Sequence, residues 1–142
     1  MKSIRQDVML GLPTDAQERK DTPITTGVLD YFPAALAYVA RVSKAGNDQH
    51  NPGEPLHWAR DKSRDQADCI ARHLIERGTI DEGDGLRHSG KLAWRALALL
   101  QEELEQSQRQ KELARLLRQG EKARGTCPGC GSDFRRCDCE DD

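Results

Sequence analysis

The chain has 142 residues, of which 36% are hydrophobic and only 4% aromatic, and it carries 22 basic against 24 acidic residues. This length fits one compact domain with a short appendage, and the net charge of −2 argues against sequence-independent binding of DNA or RNA through a basic surface. No run of about 18 apolar residues occurs and the polar amino terminus has no signal-peptide core, so we expect a cytoplasmic protein without a membrane partner.

The first predicted helix follows an arm that lacks a clear period. Residues 1–26 mix charges with two prolines, and we expect them to be irregular. Asp30, which shortly precedes a proline, is typical of the approach to a helix. Apolar residues spaced by three and four then predict a helix over residues 31–45, which Gly46 and Asn47 end.

The loop at residues 47–58 is dense in functional groups, with two histidines, two prolines and Trp58. Loops of this composition often bind ligands. A turn-rich connector in which Trp58 only packs against the core is an equally good interpretation, and the residues alone leave both open.

A second helix is predicted over residues 62–77, with Ser63 as its N-cap and an apolar stripe at intervals of three and four. The opposite face carries Asp65 and Asp68, and two carboxylates one turn apart can together hold Mg²⁺ or Mn²⁺. The alternative is a solvated face on which Asp68 pairs with Arg72.

A third helix is predicted over residues 86–104. It continues through a section with few apolar residues to Leu117, and Gly120 and Gly125 mark its end. Its centre, residues 92–100, is apolar on every side except at Arg95. A helix without a polar face is a buried helix. We therefore expect the core of the protein here, and Arg95 needs an anionic partner there, either a carboxylate or a bound phosphate.

Acidic and basic groups converge at the start of this third helix. Arg95 shares one helical stripe with Lys91 and His88, which suits an anion, and the preceding loop at residues 78–85 adds Asp84 to the acids of the second helix. A cation held by carboxylates beside fixed positive donors is what metal-assisted phosphoryl chemistry requires.

The end of the chain, residues 120–142, is a cysteine-rich tail, and the odd total of five cysteines favours reduced thiols over a disulfide framework. Four of the cysteines lie in this tail as a Cys-x-x-Cys pair and a Cys-x-Cys pair, and four thiolates can close a structural zinc site. The alternatives are a flexible thiol-bearing tail and, for the whole protein, a non-catalytic helical adaptor that binds nucleic acid or protein through a zinc-bearing tail. The four ligands in the zinc interpretation are Cys127, Cys130, Cys137 and Cys139.

Several motifs follow one another between residues 31 and 101: YFPAAL at 31–36, SKAGNDQHNPG at 43–53, LHW at 56–58, RHL at 72–74, RHS at 87–89 and AWRAL at 93–97. In this order they resemble the phage dATP/dGTP diphosphohydrolase family. That family is a branch of the all-α, MazG-like nucleoside triphosphate pyrophosphohydrolases, and it includes the MazZ proteins of phages that replace adenine with 2-aminoadenine.

The resemblance implies an all-α, antiparallel helical bundle over residues 27–119, completed by homo-oligomerisation into a dimer or tetramer. The low aromatic content independently favours oligomerisation, because a lean subunit often completes its core against another copy. The implied reaction is the metal-dependent hydrolysis of a purine deoxynucleoside triphosphate to its monophosphate and pyrophosphate, in a MazZ-type role in phage nucleotide-pool remodelling such as 2-aminoadenine DNA synthesis. From the net charge we expect no direct binding of nucleic acid.

The implied cofactor is Mg²⁺ or Mn²⁺, which the wider superfamily holds with a Glu-x-x-Glu and a Glu-x-x-Asp pair. Asp65 and Asp68 can stand for the first pair. The second pair is missing here, since the matching turn at residues 88–91 has no carboxylate. Either Asp84 or Asp48 then completes the site, and we assign Asp84.

The resulting hypothesis gives each candidate residue a role. In it, Asp48 accepts hydrogen bonds from a guanine edge, which favours dGTP over dATP, and Trp58 stacks on the purine. The catalytic set comprises Asp65, Asp68, His88 and Lys91. The substrate-binding set comprises Lys44, Asn47, Asp48, Gln49, Trp58, Arg72, His73 and Arg95.

Overall fold

The computed structural model describes residues 11–60 and 63–124, which are helical apart from turns and one isolated bridge between Ile80 and Arg87. The predicted all-α class is confirmed. The chain divides into two compact units: one spans Gly11–Glu103, and the described part of the other begins at Leu104. The helices are α1 (Ala16–Lys20), a π-helical turn (Thr25–Leu29), α2 (Pro33–His50), α3 (Gln66–Ile75) and α4 (His88–Arg124).

The predicted irregular arm contains the short helix α1. Asp15 caps this helix, because its carboxylate accepts hydrogen bonds from the backbone N–H groups of Gln17, at 2.8 Å, and Glu18, at 3.0 Å. These bonds satisfy donors that a helix start otherwise leaves without partners. The prediction of an irregular segment was therefore wrong for α1, which forms without an apolar period because Asp15 caps its first turn.

Helix α2 begins with Pro33 in its first turn, and Phe32 rather than Asp30 occupies the N-cap position. The predicted end at Gly46 and Asn47 was wrong, since the helix continues to His50. Asn47 does not terminate the helix because its side chain is buried, with 5% exposed, and bonds the following loop instead. The chain reverses beyond the helix, where Gly53 adopts a φ of 82°.

Helix α3 is shorter than predicted, and Ser63 is not its N-cap. Asp65 occupies that position without a capping bond from its side chain. The Ser63 hydroxyl instead donates a 2.7 Å hydrogen bond to the Asp65 carboxylate, so the two side chains satisfy each other outside the helix. The α3–α4 connection then turns tightly, with Gly78 and Gly85 at φ values of 88° and 70°.

Helix α4 is 37 residues long and ends at Arg124, so Gly120, the first of the two glycines predicted to mark its end, lies inside it. The predicted burial of residues 92–100 on all sides was wrong for the single chain: Ala98 is 4% exposed, but Leu97 and Leu100 are 52% and 51% exposed. The physical reason is that α2 and α3, which are both shorter than α4, cover only part of its surface. Neither α4 nor any other described helix has the apolar stretch that a membrane crossing requires.

Helices α2 and α4 approach closely at Gly90. A Cβ atom built on this glycine would lie 2.5 Å from Cδ1 of Tyr38 and 3.3 Å from Cγ2 of Val42. The Tyr38 hydroxyl also accepts a 2.8 Å hydrogen bond from the backbone N–H of Arg87, which ties α2 to the start of α4. Val42, which lies at this contact, lines the site described next.

Candidate functional site

A cleft of about 560 Å³ lies between α2, the loop that follows it, α3 and the first turns of α4. All of these segments belong to the Gly11–Glu103 unit. Seven of the predicted site residues line the cleft, whereas Lys44, Asp48, Asp65, Asp68, Arg72 and His88 are not among its lining residues. Those that line it are Asn47, Gln49, Trp58, His73, Asp84, Lys91 and Arg95.

The loop after α2 is fixed from inside by Asn47. The side-chain amide of Asn47 donates to the backbone carbonyl of Glu54 at 3.2 Å, and its oxygen accepts from the backbone N–H of His57 at 3.3 Å. The loop is thereby held against the end of α2, where it brings Trp58 to the cleft. The Trp58 ring meets the edge of the Trp94 ring with centroids 5.9 Å apart.

The Trp58 ring is also covered by a cation, since the guanidinium of Arg60 lies 4.0 Å from its centroid. Lys44 and Asp48 pair with each other on the exposed side of α2, with Lys44 Nζ 2.6 Å from Asp48 Oδ1. The structure therefore brings Gln49 and Trp58 to the cleft but leaves Lys44 and Asp48 occupied with each other.

Arg95 projects into the cleft with neutral partners. Its Nη1 donates to the Ser63 hydroxyl at 2.8 Å and to Oε1 of Gln66 at 2.9 Å. Gln66 is only 3% exposed and donates in turn to Glu102 at 3.3 Å, so it is held in place. Among the ion pairs between described residues, none involves Arg95. Sequence reasoning missed Ser63 and Gln66 as site residues, because nothing in the helical pattern relates them to a position about 30 residues away.

Lys91 is neutralised by the acidic loop before α4. Its Nζ lies 2.6 Å from Asp81 Oδ2 and 2.7 Å from Asp84 Oδ2, and its side chain is 15% exposed. Burial lowers the pKa of Lys91, but the hydrogen bonds to Asp81 and Asp84 outweigh that effect and raise the pKa above its usual value. The hydrogen bond from Lys91 likewise lowers the pKa of Asp81. Asp84, the predicted third metal ligand, is therefore engaged with an ammonium group.

Asp65 is also engaged. Its carboxylate accepts from the Ser63 hydroxyl, from the Cys69 thiol at 3.4 Å and from Arg72 at 3.4 Å. These bonds, that of Ser63 first, lower the pKa of Asp65 to about 2. The solvated-face alternative required Arg72 to pair with Asp68, but Arg72 pairs with Asp65 instead.

A group of three ligand-type side chains, one of which is His73 of the cleft lining, lies at the α3–α4 junction. Nδ1 of His73 and Nδ1 of His88 are 3.0 Å apart, and Nδ1 of His88 is 3.1 Å from Oε2 of Glu76. His88 is buried, with 8% exposed. Desolvation, together with the charges of His88 and Lys91, lowers the pKa of His73.

Within residues 11–60 and 63–124, this is the one group in which three such ligand atoms fall within 4.8 Å of one another. Asp65, Asp68 and Asp84 do not form such a group, so their shared metal site stays a prediction that the described geometry does not support. Glu76 was not among the predicted site residues, and its i, i+3 spacing from His73 is the signal that could have identified it. The four cysteines of the predicted zinc site lie outside the described residues.

Comparison with known proteins adds one finding. A family model described as dATP/dGTP diphosphohydrolase, N-terminal, matches residues 13–122, more than three quarters of the chain. The match includes the whole cleft. No curated protein and no solved structure matches the chain.

Proposed function

The chain belongs to the dATP/dGTP diphosphohydrolase family, whose members are diphosphatases that act on phosphoric anhydrides, and from this premise we propose that the cleft beside Arg95 binds a purine deoxynucleoside triphosphate for hydrolysis. In that reaction water adds to the α-phosphorus and pyrophosphate leaves, so the products are a deoxynucleoside monophosphate and pyrophosphate. The family supplies the reaction class, and the cleft supplies the place for it.

The observation that carries the proposal is the state of Arg95. Among the described residues, the half-buried guanidinium of Arg95 bonds a hydroxyl and an amide and lies 5.5 Å from the centre of the Trp94 ring, and a positive charge is costly to bury without an anion. Phosphate oxygens are the anions that guanidinium groups bind best, through charge-assisted hydrogen bonds. The triphosphate would thus supply the counter-charge that no described carboxylate provides, with Ser63 and Gln66 orienting the guanidinium.

Base recognition is assigned to the loop after α2. Gln49 can present an amide to a purine edge, and the paired rings of Trp58 and Trp94 offer an apolar wall against which a base can stack. The preference for dGTP was predicted from Asp48, but this side chain pairs with Lys44. The order of dGTP and dATP, and the MazZ-type role in phage nucleotide metabolism, therefore stay predictions.

The metal ion needs a separate test. A divalent cation supplies charge neutralisation and an activated water in reactions of this kind. The predicted ligands Asp65 and Asp84 are engaged with Ser63 and Lys91, respectively, and they do not converge with Asp68 in the described structure. These three acids do not fit one shared ion, and we assign no step of the reaction to them.

We also propose that the active form is a homo-oligomer. Leu97 and Leu100 leave an apolar face of α4 exposed, and the buried hydrophobic residues among those described are only Cys69, Leu86 and Ala98. A second copy that covers the α4 face would supply the missing core. Light scattering coupled to gel filtration measures this directly, and a monomer at working concentration would contradict it. The adaptor alternative rests on cysteines outside the described residues, and no observation here favours it.

The deciding experiment incubates the purified chain with each common dNTP and Mg²⁺ or Mn²⁺, then separates the products by ion-exchange chromatography. We expect a purine monophosphate and pyrophosphate. Because hydrogen bonds to charged groups contribute about 1.5–3 kcal/mol, Arg95→Met should lower kcat/KM by about 10–100-fold. The matched control is Arg115→Met, at an exposed position further along α4. Intact triphosphates with either metal, or equal losses in both variants, would contradict the assignment.

A further inference from the structure

We propose that His73, Glu76 and His88 form a binding site for one divalent transition-metal ion at the junction of α3 and α4. The ligand set is two imidazole nitrogens and one carboxylate oxygen. Such a set suits Zn²⁺, Co²⁺, Ni²⁺ or Mn²⁺ and differs from the all-carboxylate set predicted for Mg²⁺. The proposal concerns metal binding alone and stands independently of the proposed hydrolysis.

The first argument is the spacing of the donor atoms. Nδ1 of His88 lies 3.0 Å from Nδ1 of His73 and 3.1 Å from Oε2 of Glu76. Donors at neighbouring positions of an octahedral ion, each bonded at about 2.1 Å, are separated by about 3.0 Å. All three donor atoms lie within 4.8 Å of one another, so they can reach one ion together, and its other positions remain for water or an added ligand.

The second argument is the number of protons that the cluster can hold. Two ring nitrogens and a carboxylate oxygen all turn towards one another, and Nδ1 of His88 can carry only a single hydrogen. The single hydrogen on Nδ1 of His88 would have to bond both Nδ1 of His73 and Oε2 of Glu76. If Nδ1 of His73 carried a hydrogen as well, the two hydrogens would point at each other. A divalent cation satisfies the lone pairs of all three atoms together.

The surroundings favour the ligand forms of these side chains. His88 is buried and His73 is partly buried. The nearest ammonium, that of Lys91, is already neutralised by Asp81 and Asp84. The carboxylate of Glu76 then carries the negative charge that faces the ion.

The site is also placed where it can be assembled. His73 and Glu76 are separated by one turn at the end of α3, and His88 is the first residue of α4. The connection between them is closed by the bridge of Ile80 with Arg87 and by a 2.8 Å hydrogen bond from the N–H of Asp81 to the carbonyl of Leu86. A bound ion would cross-link α3 to α4 and so raise the melting temperature of the protein.

The test is a titration of the metal-free, full-length chain with Co²⁺ in the absence of nucleotide, followed by absorption spectroscopy. Imidazole and carboxylate ligands give ligand-field bands only, whereas the tail cysteines would add sulfur-to-metal charge-transfer bands. Besides any ion that the tail cysteines hold, we expect one equivalent of Co²⁺ with ligand-field bands of nitrogen and oxygen ligands. His73→Gln should weaken this binding more than about 100-fold, beyond the 10–100-fold effect usual for residues that only orient a ligand.

Glu76→Gln provides a second variant that leaves folding intact, because the Glu76 side chain is half-exposed. The matched controls are His57→Gln and Glu82→Gln, which change a histidine and a glutamate elsewhere in the same unit, and both should bind Co²⁺ as the wild type does. Circular dichroism verifies the helix content of each variant. Identical titrations of wild type and His73→Gln, or a wild-type spectrum in which every bound equivalent of Co²⁺ brings sulfur-to-metal charge-transfer bands, would overturn the proposal. Since no triphosphate is present, either result is independent of hydrolysis.

Discussion

Gly90→Ala tests the close approach of α2 and α4. The added Cβ would lie 2.5 Å and 2.6 Å from the Cδ1 and Cε1 atoms of Tyr38. Carbon atoms in proteins do not approach so closely, so either the tyrosine ring or the helix must move. The ring cannot turn away freely, because its hydroxyl accepts a 2.8 Å hydrogen bond from the N–H of Arg87.

The expected change in the free energy of unfolding combines three effects. Overpacking by one methyl group costs about 1–3 kcal/mol. Loss of the Tyr38 hydrogen bond would add about 1 kcal/mol. Against these, alanine is favoured over glycine inside a helix by about 1 kcal/mol. Gly90→Ala should therefore destabilise the protein by about 1–3 kcal/mol and lower Tm by several degrees.

Gly46→Ala is the matched control, because Gly46 lies inside α2 and a Cβ there would meet nothing within 4 Å. This variant should be more stable than the wild type by about 0.5–1 kcal/mol. Urea denaturation followed by circular dichroism, at one protein concentration, gives both values. If Gly90→Ala is as stabilising as Gly46→Ala, the packing of α2 on α4 described here is incorrect.

Three further predictions concern the site. Gln66→Leu removes a partner that orients the Arg95 guanidinium, so steady-state kinetics should show kcat/KM lower by about tenfold or more; unchanged kinetics would mean that Gln66 is not needed for this orientation. The pKa of Asp65 is about 2 in the folded chain and higher when unfolded, so its bonds stabilise the protein above pH 4 and are lost as the pH falls towards 2. Acid titrations should therefore show a flatter stability profile for Asp65→Asn over this range, and a profile parallel to that of the wild type would contradict the hydrogen bonds of Asp65 to Ser63, Cys69 and Arg72. The lowered pKa of His73 means that the unfolded chain binds more protons below about pH 6.5, so stability should fall from about pH 7 to about pH 5. Denaturation midpoints for His73→Gln should fall less over that interval, and an equal fall would exclude His73 as the titrating group.

The three longer helices could be predicted because the spacing of apolar residues is local information. Their limits could not, because contacts with other segments decide them. Asn47 resembles a helix terminator in the sequence, yet its buried side chain bonds the loop at residues 54–57 and the helix continues to His50. Ser63 resembles an N-cap, yet it bonds Asp65 and Arg95.

Many of the residues around the cleft could also be predicted, since a charged residue within an apolar stretch of helix is uncommon and therefore informative. Lys91 and Arg95, two of the three residues of the predicted basic stripe, both line the cleft, whereas His88 does not. The sequence could not predict which of these two basic side chains pairs with carboxylates and which does not. Lys91 is neutralised by Asp81 and Asp84, whereas Arg95 retains its charge beside Ser63 and Gln66.

The sequence by itself determined the helical class, the acidic loop before α4 and the basic stripe on that helix, because each depends on residues a few positions apart. Only the tertiary structure decided which acids are engaged with cations and which side chains converge at the α3–α4 junction. Helical periodicity defines the face on which a residue lies, but not its distance from a residue on another helix. The three donor atoms of His73, Glu76 and His88 meet because the turn between α3 and α4 brings their backbones together.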